Sequence, residues 1–144
     1  RWRPRTVAIP YWDDRHPDHG AASRVLTEAL FNARLRRYPG AGEAWAPDWV
    51  CAYFINDAGP ISFAIDVSAH YETKRRALAC YRSQFRPDGE GAVATRLNAP
   101  TFSRLIESRD AQFGALSGVA FAEGLVVKEP VLRPHLFKDW SARP

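Results

Sequence analysis

The chain has 144 residues, of which 46% are hydrophobic and 25% are charged, and this composition is typical of one globular domain. No apolar run approaches the roughly 20 residues that span a bilayer, and no secretory signal peptide opens the sequence. The net charge is +4. Because the basic residues are scattered among acidic ones, we expect neither a nucleic acid nor a membrane as partner. Cys51 and Cys80 lie in apolar patterns, which predicts reduced core thiols in a cytoplasmic protein.

The first predicted strand is TVAIPY, residues 6–11, an apolar run with β-branched residues. After a charged turn, Pro17 begins a helix, because the first helical position tolerates a missing N–H. Apolar residues at three- and four-residue spacing give this helix one apolar face. They are Ala22, Val25, Leu26, Ala29, Leu30 and Ala33. YPGAG, residues 38–42, ends the helix.

Two dense apolar runs, WVCAYFIN (49–56) and ISFAIDVS (61–68), predict two more strands. Ser68 is expected to cap a second helix. The side chains of that helix that should face inward are Tyr71, Ala77, Leu78 and Tyr81. Residues 86–92 read as a flexible loop by composition. A third helix should begin at Pro100, weaken at Gly114 and stop at Gly118, and a short strand or extended segment follows it.

Strands that alternate with helices predict a single α/β layered domain over residues 1–144, with a mostly parallel sheet flanked by helices. Three or four strands make a thin sheet. The sequence also contains no methionine and opens on a short basic stretch that runs straight into a strand. We therefore expect that N-terminal strands are missing from this chain, either cut away or carried by another chain. Removal of a start methionine alone is the simpler alternative.

The stretch DDRHPDHGAAS, residues 13–23, concentrates polar side chains between the first strand and the first helix. In open α/β sheets, ligands bind outside the carboxyl ends of the strands, which is where this turn should lie. His16 would occupy the helix cap and His19 the first turn, so both can face one pocket. Asp18 lies between them and could orient an imidazole through its ring N–H, as the partners of metal-binding histidines do.

Two histidines three residues apart are a weak signal, and a plain helix cap explains an isolated pair equally well. A structural zinc site would need four ligands, but the sequence has no C-x-x-C pair, and His70 and His135 lie in unrelated contexts. A catalytic zinc needs only three protein ligands. The turn offers one or two of these, so a metal here would need ligands from elsewhere.

Three blocks of the sequence resemble one enzyme family in the right order. They are RHPDHGAASRVLTEALFNARL (15–35), SFAIDVSAHYETKRRALACYRSQF (62–85) and FAEGL (121–125). They resemble the PIG-L/LmbE-type zinc-dependent N-acetylglucosaminyl deacetylases. Within that family they are most similar to the bacillithiol-biosynthesis branch, which acts on N-acetylglucosaminyl-malate. The resemblance covers most of residues 5–126 and implies a Rossmann-like fold, one Zn²⁺ per complete site and a homo-oligomer.

The resemblance also implies roles for individual residues. His19 matches the zinc ligand, and His16 matches a catalytic histidine beside the substrate carbonyl. Asp18 matches the catalytic acidic residue that orients a neighbouring histidine. Arg15 could bind the malate carboxylate, because guanidinium suits bidentate contacts. Gln84 lies in a matching block and is included among the substrate-binding residues. Glu123 lies in another matching block and has no assigned role.

The family's first signature, an A-H-P-D-D-x-E-type motif, does not occur in this sequence. In the family, that motif supplies one His and one Asp ligand and the general base. The resemblance therefore implies the C-terminal portion of a deacetylase domain, inactive by itself, whose partner is the missing N-terminal portion. Two alternatives remain open: a non-catalytic basic α/β module that binds an anionic ligand or a protein partner, and a truncated remnant.

Overall fold

A computed structural model describes residues 2–39, 42–85 and 93–132 of the chain. The predictions for residues 86–92 and for His135 lie outside these described residues. In chain order the elements are β1 (Thr6–Pro10), α1 (Pro17–Ala33), β2 (Trp49–Tyr53), β3 (Phe63–Asp66), a 3-10 turn (Ser68–His70), α2 (Tyr71–Ala79), α3 (Arg82–Phe85), α4 (Pro100–Ser117) and β4 (Ala122–Val126). No helix in the described ranges is long and apolar enough to cross a membrane.

The four strands form one open sheet in the order β1-β2-β4-β3, flanked by helices. The predicted α/β architecture is confirmed, but the prediction of a mostly parallel sheet is wrong. Only β1 and β2 pair in parallel, whereas β4 pairs antiparallel with both β2 and β3. The three strands β1, β2 and β3 do share one direction. The chain enters β4 beside the end of β3, where Asp66 pairs with Ala122, and therefore runs back between β2 and β3.

Helix α1 begins at Pro17, as predicted, and ends at Ala33, about one turn before the YPGAG stretch that was expected to end it. Its buried positions are small, namely Gly20 and Ser23. Large apolar side chains of the same helix lie open, since Val25 is 64% exposed and Phe31 is 62% exposed. The described chain therefore covers only part of the apolar surface of α1.

Helix α4 packs on the sheet, and the core there contains Phe54, Phe113 and Ala122. The helix stops at Gly118 in the left-handed conformation, as predicted. It does not weaken at Gly114. A Cβ at Gly114 would lie 2.7 Å from the Ala120 carbonyl oxygen, so glycine there permits close approach of the chain rather than a break in the helix.

Ser68 does not cap the second helix with its side chain. Its Oγ accepts a hydrogen bond from the Phe121 N–H at 3.0 Å and donates one to the Phe121 carbonyl at 3.2 Å, which ties β3 to β4. Tyr71 is buried, as predicted, and its ring stacks on Phe121 with centroids 3.8 Å apart. Tyr81 and Ala77 are exposed, contrary to prediction. Both cysteines are unpaired, and only Cys51 is buried.

Candidate functional site

The carboxyl ends of β1 and β2 lie side by side, because Pro10 pairs with Tyr53 in the parallel register. Two loops leave the sheet at this edge. One contains the charged turn that leads into α1, and the other contains Asn56 and Asp57. The sequence-based placement of the charged turn at the end of a strand is confirmed. The two loops meet through side-chain hydrogen bonds, which build the site.

Asp14 is the centre of these contacts, and its side chain is only 3% exposed. Its Oδ1 accepts hydrogen bonds from the His16 N–H at 2.8 Å and from Asn56 Nδ2 at 2.9 Å, and it lies 3.0 Å from His19 Nδ1. Its Oδ2 accepts one from the Asn56 N–H at 3.0 Å. Burial disfavours the charged carboxylate, but these hydrogen bonds outweigh it and lower the Asp14 pKa to about 2. Asp14 is therefore an anion at neutral pH.

His19 lies in the first turn of α1, and its side chain is 27% exposed. Its Nδ1 lies 3.0 Å from Asp14 Oδ1 and 3.2 Å from Asn56 Nδ2. Because Asp14 is ionised, an N–H at Nδ1 that donates a hydrogen bond to the carboxylate is more favourable than a bare Nδ1 that accepts one from the neutral amide of Asn56. Asn56 Nδ2 keeps its own hydrogen bond to Asp14 Oδ1 in this arrangement. In the neutral ring, Nε2 then bears the lone pair. A metal-binding histidine held by a carboxylate has this same arrangement.

His16 caps α1, because its Nδ1 accepts a hydrogen bond from the Asp18 N–H at 3.2 Å. The lone pair of His16 is thus used at Nδ1, and in the neutral ring the proton resides on Nε2. The His16 ring stacks on the His19 ring, with centroids 4.8 Å apart. The two histidines therefore form one adjacent pair in which the neutral rings carry their protons on different nitrogens.

The Asp18 carboxylate is 87% exposed and lies 3.9 Å from His16 Nδ1, which is beyond hydrogen-bond distance. The buried carboxylate that contacts a histidine ring is Asp14 rather than Asp18. Arg15 is exposed, and its backbone N–H donates to Asp57 Oδ2 at 2.8 Å. Its guanidinium therefore remains able to meet an anion at the edge of the site.

The structure does not join Gln84 to the histidine pair. Gln84 is exposed in the short helix α3, and within the described residues no hydrogen bond links its side chain to the charged turn. Glu123 belongs to a second polar cluster, in which its Oε1 accepts from Lys74 Nζ at 2.6 Å. Lys74 also donates to Asp110 Oδ2 at 2.7 Å. This cluster borders a cavity of about 130 Å³ beside Phe54 and the start of β4.

A zinc ion needs at least three protein ligands in a catalytic site. Among residues 2–39, 42–85 and 93–132, no group of three His, Cys, Asp or Glu side chains is placed to hold one. His19 nevertheless suits the part of a single ligand, because a hydrogen bond from Nδ1 to Asp14 would leave its Nε2 able to coordinate an ion. The described residues thus fit one ligand of a zinc site.

Sequence reasoning missed Asp14 and Asn56 as members of the site. Asp14 stands in the conspicuous turn, five residues before His19, but the prediction named the nearer Asp18 as the partner. Asn56 follows β2, whose carboxyl end neighbours that of β1. The rule that parallel strands present their carboxyl ends at one edge could have found it.

No family model matches the sequence. The structure is similar to the crystal structure of the conserved protein TT1542 from Thermus thermophilus, with a TM-score of 0.77 and 34% sequence identity, over 91% of this chain and 54% of that chain. It is also similar to GalB, the 4-carboxy-2-hydroxymuconate hydratase of Pseudomonas putida KT2440, with a TM-score of 0.68 and 19% identity, over 94% of this chain and 56% of that chain. The second likeness shows a shared fold alone. This chain spans about half the length of each of these structures.

Proposed function

We propose that the chain forms part of a zinc-dependent deacetylase that hydrolyses the acetamide of an N-acetylglucosaminyl conjugate. One observation carries the proposal: the His19 ring is held through Nδ1 by the buried Asp14 carboxylate, so Nε2 is left to coordinate a metal. The resemblance of residues 15–35, 62–85 and 121–125 to the deacetylase family supplies the reaction. Its bacillithiol branch suggests N-acetylglucosaminyl-malate as the substrate.

Each side chain of the site would have a separate role in amide hydrolysis. When bound, zinc would supply a Lewis acid and would lower the pKa of its water toward about 7. His19 would hold the ion, with Asp14 fixing its tautomer. His16, with a proton on Nε2, can donate a hydrogen bond to the carbonyl oxygen as negative charge develops there. Arg15 would bind the carboxylate of the substrate, and Gln84 remains a candidate for contact with the sugar conjugate.

We also propose that the sheet continues beyond β1 as a Rossmann-like fold, in polypeptide that supplies the remaining zinc ligands and the general base. In the described chain β1 pairs only with β2. Val25 and Phe31 lie exposed on α1, the helix that packs against β1. The similar structures are about twice as long. Exposed edges and apolar faces favour association. Sedimentation of the 144-residue chain should therefore show oligomers or aggregates, and a cooperatively unfolding monomer would contradict this part of the proposal.

The decisive test of the metal site is zinc content measured after dialysis. The protein together with its N-terminal portion should bind about one zinc per chain, and the His19→Ala variant should lose it. His70→Ala is the matched control, because His70 is an exposed histidine on the 3-10 turn outside the site. If His19→Ala retains the metal of the parent protein, the ligand assignment is refuted.

The reaction is tested by release of free amine from N-acetylglucosaminyl-malate. His16→Ala should lower kcat by about a hundredfold, the effect of removing one donor to a developing oxyanion. Zinc binding should persist in that variant. If the zinc-loaded parent protein releases no amine but binds anionic ligands or a protein, the non-catalytic module is the better description, and deacetylation is excluded for this substrate.

A further inference from the structure

We propose that Arg109 is a positioning residue that fixes His19 through the loop after β2. Arg109 lies on α4, far in sequence from the charged turn. Its Nη1 donates to the Ile55 carbonyl at 2.9 Å. No role for Arg109 follows from the composition, the spacing or the motifs of the sequence.

The contacts run from Arg109 to His19 in three steps. Ile55, whose carbonyl Arg109 holds, immediately precedes Asn56. Asn56 donates twice to Asp14, through its backbone N–H at 3.0 Å and its side-chain amide at 2.9 Å. Asp14 in turn contacts His19 Nδ1 at 3.0 Å. A shift of the Ile55–Asn56 segment would therefore move both donors that hold the carboxylate.

The guanidinium is itself held in place. Its side chain is 11% exposed, and its Nε lies 3.3 Å from Asp110 Oδ1. Asp110 is 1% exposed and also accepts hydrogen bonds from Tyr71 and Lys74. Because the planar guanidinium has donors in a fixed fork, one group can bind Asp110 and the Ile55 carbonyl at once. Arg109 thus holds the Ile55 carbonyl of the loop at a fixed distance from the buried Asp110 carboxylate.

Lys74 provides a control for Arg109, because it is a second cation that binds Asp110. Lys74 binds Asp110 and Glu123, but in the described structure it makes no hydrogen bond to the loop after β2. Loss of either cation leaves Asp110 buried with less compensation and should lower stability. Only the loss of Arg109 should disturb Asn56 and His19. The consequence for zinc rests on the proposed function, whereas the positioning of the imidazole does not.

The test compares Arg109→Gln with Lys74→Gln in the metal-free protein, together with its N-terminal portion. Two signals are measured at one fixed pH: the ¹⁵N shifts of the His19 ring, which report the Nδ1–H tautomer, and hydrogen exchange of the Asn56 amide. Arg109→Gln should shift the ring signals toward the other tautomer and speed Asn56 exchange roughly tenfold, the effect of losing one charge-assisted hydrogen bond. Lys74→Gln should leave the ring signals unchanged while lowering the midpoint of urea unfolding.

If Arg109→Gln does not fold, a double variant, Arg109→Gln with Asp110→Asn, removes both charges of the ion pair. It is then compared with the single variant Asp110→Asn. The same difference in ring signals is expected between these two. Zinc affinity should fall roughly tenfold in the Arg109 variants if His19 is a ligand. Unchanged ring signals and Asn56 exchange would overturn the proposal, as would equal changes in the Lys74 variant. If the parent protein binds no zinc even together with its N-terminal portion, the deacetylase proposal fails, but the ring signals still decide the role of Arg109.

Discussion

Replacing Asp14 by asparagine should destabilise the protein strongly, even though the two side chains have nearly the same shape. Asp14 Oδ1 accepts from the His16 N–H and from Asn56 Nδ2, and Oδ2 accepts from the Asn56 N–H. An asparagine has only one carbonyl oxygen, so its NH₂ group must face at least one of these donors. The variant therefore loses a charge-assisted hydrogen bond and places two donors against each other in a buried site.

The magnitude follows from the pKa of Asp14. Burial raises it, but the hydrogen bonds from Asn56, His16 and His19 dominate and lower it from its ordinary 3.8 to about 2. At about 1.4 kcal/mol per pH unit, the folded state favours the charged carboxylate by about 2 kcal/mol. A hydrogen bond to a charged group is worth about 1.5–3 kcal/mol, so the two routes agree. We expect Asp14→Asn to lower the free energy of unfolding by about 2 kcal/mol at pH 7.

The assay is urea unfolding of the parent protein and the variant between pH 7 and pH 2. Because the folded-state pKa lies below the unfolded-state value, the stabilisation is complete above about pH 4 and is lost as the pH falls through about 2. The difference between parent and variant should shrink over that interval. Asp13→Asn is the matched control, since Asp13 is an exposed neighbour. A difference that does not change with pH, or an equal loss in Asp13→Asn, would refute the reasoning.

Two further predictions concern the packing of a glycine in β4 and a buried hydrogen bond. Gly124→Ala should lower the free energy of unfolding by about 1–3 kcal/mol through overpacking, because its Cβ would lie 2.5 Å from Ile61 and 2.7 Å from Phe113. Gly59→Ala, where the nearest atom is at 3.5 Å, should change it little, and equal urea midpoints for the two would argue against this. Tyr71→Phe should cost about 1–2 kcal/mol, because it removes the 3.1 Å hydrogen bond to buried Asp110. Burial and the Asp110 charge raise the pKa of Tyr71, so that cost should be constant across neutral pH.

The sequence predicted local structure better than it predicted strand order. Pro17 and Gly118 mark helix ends through backbone chemistry that acts within a few residues, and both predictions are confirmed. The position of β4 between β2 and β3 is a tertiary arrangement in which α4 packs on both β3 and β4, and no local pattern records it. Ser68 illustrates the same limit, because a tertiary contact with Phe121 replaced the expected cap.

The histidine pair could be predicted from the sequence, but its buried partner could not. Spacing placed His16 at the cap of α1 and His19 in the first turn, and the structure has them there. Asp18 was nearer in sequence, yet a helix turns side chains away from their immediate neighbours, and Asp18 remains exposed. Asp14 gains its role only because the loop after β2 comes alongside and brings Asn56.

The antiparallel strand that contradicted the predicted sheet also completes the surroundings of the site. Because β1, β2 and β3 run the same way, their carboxyl ends lie at one edge. Strand β4 runs back, so its amino end, with Glu123 opposite Ile65, lies at that edge too. Glu123 and Lys74 therefore lie at the same end of the sheet as Asn56, where Arg109 bridges from Asp110 to the loop. A wholly parallel sheet would place the amino end of its last strand at the opposite edge, so the reversal of β4 is what brings Glu123 to the end of the sheet that carries the histidine pair.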